Sequence, residues 1–176
     1  MFGLQIRYLS FFFGLISILS FFNIIYSYYL NLYLNLDTYY WSLILSISIS
    51  IILYKIKDPE KKPNIYSKIL TVFFGYILIP LILSIPFYFS VYNLTFLNSF
   101  FESISGFTST GFSIFENIKH IDQSLILWRS STQWIGGLYF LFSIIYLIDI
   151  YDENLKKTLT DFISFDSSEI LKQATK

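Results

Sequence analysis

The sequence predicts an all-α membrane protein: two N-terminal transmembrane helices followed by one unit of helix, re-entrant segment and helix. Three observations carry this. Of 176 residues, 55% are hydrophobic and only 14% charged, with a mean hydropathy of +0.58, a composition of chains whose helices face lipid. Four apolar segments lie near the roughly 17 to 25 helical residues that span a hydrocarbon core about 30 Å thick. A fifth apolar segment is too short to cross.

Composition also excludes. The formal net charge is zero, so no basic surface advertises nucleic acid, and no Cys is present, which removes disulfides, thiolate metal sites and cysteine nucleophiles. The N-terminal MFGLQIRYLS places one Arg ahead of an apolar run longer than a signal peptide's core. No small-x-small cleavage pattern follows it, so it reads as a retained helix.

The first span, residues 8–34, has a Tyr-rich end suited to the headgroup belt and one mid-membrane amide, Asn23. The second, residues 39–54, contains SISISI, an alternation that by period alone would be a strand. The bilayer overrules the period, because a lone strand cannot satisfy its backbone in lipid and a barrel needs many such segments. Ser46, Ser48 and Ser50 can return their hydroxyls to carbonyls one turn back. A polar linker, KIKDPEKKPN, leads to the third span, residues 69–92, with Pro80 and Pro86 inside it. The fourth span covers residues 126–148.

Positive charge sets the orientation. Arg7, the lysines of the linker, Lys68, Lys156, Lys157, Lys172 and Lys176 share one set of ends, leaving Lys119 and Arg129 on the other. By the positive-inside rule both termini and the linker are cytoplasmic, in a multi-pass protein of the cell inner membrane.

Residues 93–106, NLTFLNSFFESISG, start outside and must end outside, since the fourth span returns to the cytoplasm. Such a length is that of a re-entrant helix. Leu97, Phe100, Phe101 and Ile104 form an apolar stripe, with Asn98, Glu102, Ser105 and Gly106 on another face; Asn93 or Thr95 caps the start and Gly106 breaks the end. Its C-terminal dipole end lies beside FTSTGFS, residues 107–113, whose extended backbone can offer carbonyls to a cation. Gly111 supplies backbone angles that other residues adopt poorly. The alternative is a helix lying on the outer surface, with TSTG an ordinary turn, in a four-helix accessory or scaffold protein.

FFESISGFTSTGFSIFENI followed by LILWRSSTQWIGGLYF resembles the first pore unit of the Trk-type potassium uptake proteins, the TrkH/KtrB superfamily. The resemblance covers residues 62–148 and implies a potassium-channel-like fold in which four helix, pore-loop, helix units of one polypeptide surround a potassium pathway. Thr108, Ser109, Thr110 and Gly111 would then supply one quarter of the selectivity filter, chiefly through backbone carbonyls. Two helices ahead of the first unit favour the TrkH-like branch. The organisation implied is a two-helix extension and linker (1–61), a first pore unit (62–150) and a cytoplasmic connector (151–176) that breaks off, as in an incomplete reading of a longer protein. The further pore units, a second copy in a homodimer and a cytoplasmic nucleotide-binding regulatory subunit are the implied partners besides the bilayer. Potassium is cargo, no cofactor is implied, and no bond is made or broken, so no enzyme is expected.

Arg129 either pairs with Glu102 and braces the loop or snorkels to the outer headgroups, with Gln133 one turn further on the same face as a supporting residue. Gly136 and Gly137 permit close helix approach or a hinge. Lys119, His120 and Asp122 lie in the outer loop, where His120 has no partners at ligand spacing. The tail beyond Glu153 has Leu155, Leu159, Phe162 and Ile163 at helical spacing.

Overall fold

The computed structural model describes residues 6–56, 65–116 and 121–148. The linker from residue 57 onward, Lys119, His120 and the connector lie outside them. Among the described residues five helices follow one another, α1 (Ile6–Tyr29), α2 (Leu36–Lys55), α3 (Ile65–Ser90), α4 (Phe96–Phe107) and α5 (Gln123–Ile148), and no strand occurs. The serine alternation of α2 is helical, as backbone satisfaction in lipid requires. Three of the helices, α1, α2 and α3, are long and apolar enough to cross a membrane. At 26 residues α5 covers about 39 Å, but Arg129, Ser130, Ser131, Thr132 and Gln133 dilute its apolar character.

The first helix stops five residues earlier than its composition suggests. Asn31 adopts a left-handed φ of 57°, with Leu32 N–H donating to the Ser27 carbonyl at 2.8 Å and Asn31 N–H to Tyr28 at 3.3 Å. This six-to-one and five-to-two pattern is a Schellman cap. Similarly, α3 ends at Ser90 and Asn93 has a φ of 62°, so Asn93 breaks the path into α4 and Thr95 alone caps it, accepting from Asn98 N–H. α3 remains helical through Pro80 and Pro86.

α1 and α2 pack through small residues. Ser10 and Ser50 exchange hydroxyl-to-carbonyl hydrogen bonds of 2.9 Å each, and a Cβ on Gly14 would just touch the Ser50 hydroxyl. In lipid such close approach replaces the hydrophobic drive between helices. The core between α1, α3 and α5 is aromatic instead. The buried Tyr139 ring meets Phe12 and Tyr76 edge-on at 4.8 and 5.0 Å, and its hydroxyl donates to the Val72 carbonyl at 2.9 Å. Gly75 makes room for it, since any Cβ there would overlap the phenol.

α4 sits against α3 and α5. Its 12 residues cover about 18 Å, short of a crossing. Its polar face points inward: Ser99, Glu102, Ser103, Ser105 and Gly106 are buried, whereas Leu97 is 76% and Phe101 43% exposed. A surface helix of an accessory protein would keep the carboxylate in water, so the burial of Glu102 counts against that alternative.

A candidate cation-coordinating loop

Small residues position α4. Ser103 Oγ donates to the Pro80 carbonyl at 2.5 Å, on α3. On the other side, Gly106 lies against the Thr132 hydroxyl, and the Phe107 carbonyl presses on Gly136 so closely that a Cβ there would overlap it. A Cβ on Gly137 would meet open space, so among the described residues only the first glycine of the pair serves close approach. Gly106 does not break α4; it is a helical contact residue, and the helix continues to Phe107. The break falls at Ser109, with a φ of 56°, where Ser109 N–H donates to Gly106 at 2.9 Å and Thr110 N–H to Ser105 at 3.0 Å.

Thr108, Ser109, Thr110, Gly111 and Phe112 are all exposed. Loop N–H groups occupy the carbonyls of Ile104, Ser105 and Gly106, so these helix-end oxygens are spoken for. Two carbonyls further on are also used: Gly111 accepts from Arg129 Nη2 at 3.3 Å and Phe112 from Ser105 Oγ at 2.6 Å. Among the described residues none donates to the carbonyls of Thr108, Ser109 and Thr110. The two threonine hydroxyls contact each other at 2.7 Å. Gly111 has a φ of 80° with open space where a side chain would be, so glycine is favoured there by backbone angle and not by crowding.

Beneath the loop lies one buried charge centre. Glu102 is fully buried and accepts from Arg129 Nε at 2.5 Å, from Ser113 Oγ at 3.1 and 3.2 Å, and from Ile114 N–H at 3.0 Å. One carboxylate thus ties α4, α5 and the return leg of the loop together. The Arg129 side chain is 13% exposed, which is incompatible with snorkelling to headgroups. Gln133 is half-buried and its amide makes no hydrogen bond among the described residues, so it is not brought into this centre.

Sequence reasoning missed several positioning groups. Ser105 and Ser113 hold the return leg; for Ser105 the available signal was a serine on the polar face of α4, and for Ser113, in the loop, there was none. Asn35 Nδ2 donates to Asp122 Oδ2 at 2.7 Å, while Asp122 Oδ1 accepts from Ser124 N–H at 3.3 Å at the start of α5. That pair ties the α1–α2 turn to α5. Trp128 Nε1 donates to the Leu83 carbonyl at 3.0 Å, locking α5 to α3 beside α4. Among the described residues no group of three His, Cys, Asp or Glu could hold a metal ion. The oxygens the loop presents are its backbone carbonyls and the hydroxyls of Thr108 and Thr110.

The TrkH family profile, described as cation transport protein, matches residues 39–161. An uncharacterized cation transporter of Methanocaldococcus jannaschii is 28% identical over 127 residues, 71% of this chain and 27% of that protein. The Trk system potassium uptake protein TrkI of Halomonas elongata is 38% identical over 60 residues, 34% of this chain and 11% of its own length. TrkH of Escherichia coli, a Trk system potassium uptake protein, is 38% identical over 56 residues, covering 31% of this chain and 12% of its own. The chain therefore spans about a quarter or less of these relatives. No solved structure matches it.

Proposed function

Because the chain belongs to the TrkH family of cation transport proteins, we propose that it contributes one portion of a potassium uptake pathway across the cell inner membrane. In this reading Thr108, Ser109 and Thr110 present carbonyls to a dehydrating potassium ion, and Gly111 sets the turn that presents them. The observation that carries it is the set of exposed, unbonded carbonyls following a helix too short to cross. A cation entering such a site exchanges water oxygens for carbonyl dipoles, with field strength and ligand number deciding which ion is held. The oxygens of one loop cannot complete a shell, so further loops of the same kind are part of the proposal.

Glu102 and Arg129 act indirectly here. Their charges cancel beneath the loop, so the guanidinium does not face the ion as a bare positive charge, while their hydrogen bonds hold the return leg in place. The single extra bond from Arg129 to the Gly111 carbonyl draws that oxygen toward α5. Gly111 is thus a conformational residue more than a ligand. With Arg7, Lys55 and Lys68 near the ends of α1, α2 and α3 opposite the loop, the positive-inside rule makes the loop side extracytoplasmic.

The test is potassium-limited growth and rubidium uptake in a transport-deficient strain carrying the complete protein. Gly111→Ala is expected to lower uptake about ten-fold, since forcing a Cβ into left-handed backbone costs roughly 1–2 kcal/mol or displaces the carbonyls. Unchanged uptake and unchanged potassium-to-sodium preference would sink the assignment.

A further inference from the structure

The α1–α2 hairpin carries a groove of about 500 Å³. Ser10, Gly14 and Ser17 line it with small side chains, Phe11 and Ile18 flank it, and Arg7 lies at one end. We propose that this groove binds one phospholipid, with an acyl chain laid along Gly14 and Ser17 and the phosphate on the Arg7 guanidinium.

The dimensions fit one leaflet. Arg7 and Ile18 are eleven residues apart on α1, about 16 Å at helical rise, against half of a hydrocarbon core about 30 Å thick. Both walls of the groove belong to helices long and apolar enough to cross a membrane, so an acyl chain is the medium that reaches them. Polarity runs the right way along it: Arg7 and the exposed Tyr54 mark the headgroup end, with Lys55 adjacent, and Phe11, Leu15 and Ile18 line the deeper part. A guanidinium offers a planar fork of donors that matches phosphate oxygens. Basic pockets between spanning helices recognise lipid headgroups by this chemistry.

Two other cavities lack that match. The one between α2 and α3, of about 640 Å³, has Asp37 among its lining residues, and the one on the loop side has Glu116 and Asp122. A carboxylate there would repel a phosphate.

The test is native mass spectrometry of the full chain in detergent, with phosphatidylglycerol or diacylglycerol of the same acyl chains added. One phosphatidylglycerol is expected to stay bound, and diacylglycerol is expected to wash off. Arg7→Gln should lower the lipid-bound fraction about five-fold. Ser17→Leu, which fills the groove, should abolish it, and Asp37→Asn should leave it unchanged. Equal retention of both lipids, or equal occupancy in wild type, Arg7→Gln and Ser17→Leu, would overturn the proposal. A measurement independent of any variant is thermal unfolding of the wild-type chain: phosphatidylglycerol should raise the midpoint and diacylglycerol should not, and an identical midpoint with both would equally refute it.

Discussion

Two turns of this molecule end their helices in the same way and then diverge. After α1, Asn31 is left-handed and the Leu32 and Asn31 N–H groups close a Schellman cap on Ser27 and Tyr28; after α4, Ser109 is left-handed and Thr110 and Ser109 close the same cap on Ser105 and Gly106. Past the first cap the chain touches little: the Asn31 amide oxygen accepts from the exposed Tyr33 hydroxyl, and nothing charged is met until Asn35 reaches Asp122. Past the second cap, Gly111, Phe112, Ser113 and Ile114 are each tethered to Arg129, Ser105 or Glu102. A local cap is thus common property of helix ends. What distinguishes the candidate site is a buried charge pair holding the return leg while leaving the carbonyls before it unbonded.

The largest way to break that contrast is to remove one charge. Glu102→Gln or Arg129→Gln leaves the other group buried and unpaired and should cost about 3–5 kcal/mol, read as a fall in thermal midpoint and faster amide exchange at Ile114. The double variant should lose much less than the sum of the two, and additive losses would show that the pair does not act as a unit. The α1–α2 turn should keep its exchange rates throughout.

Next in size is the packing beneath the loop. Gly136→Ala drives a methyl into the Phe107 carbonyl and should cost about 1–3 kcal/mol in the same unfolding measurement, whereas Gly137→Ala meets open space and should be neutral or slightly stabilising. Equal effects would contradict the docking of α4 on α5.

The smallest effects sharpen the comparison. Ser109→Gly and Asn31→Gly each relieve a left-handed residue and should change stability by no more than about 1 kcal/mol, by similar amounts, because the caps are the same. Uptake should respond to Ser109→Gly and not to Asn31→Gly. If both variants alter uptake alike, the loop after α4 has no special role.

Legibility in the sequence was uneven for physical reasons. The class and three of the four expected spans were legible because the length of the hydrocarbon core is a fixed ruler, and it also marked α4 as too short; α5 has the length of a span, but its polar first half keeps it from being apolar enough by composition. The Glu102–Arg129 pairing was readable as one of two options, since neither charge is tolerated alone at depth, but only packing could choose between pairing and snorkelling. The helix ends were misread at Leu34, Asn93 and Gly106. Residues 32–34 are apolar enough to continue a helix, and what stops α1 is the backbone angle at Asn31. Gly106 has the composition of a terminator and the position of a contact residue.

By itself, then, the sequence determined a helical membrane chain, the order of its helices and a fourth helix too short to cross, because hydropathy and length are additive along the chain. Tertiary structure decided which face of α4 turns inward, which of two adjacent glycines is indispensable, which serines clamp the return leg and which carbonyls remain unbonded. Periodicity shows that a helix has two faces, but in lipid the apolar face has no need to be inside. Only the partners available to Glu102, Ser103 and Ser105 settle which side is buried.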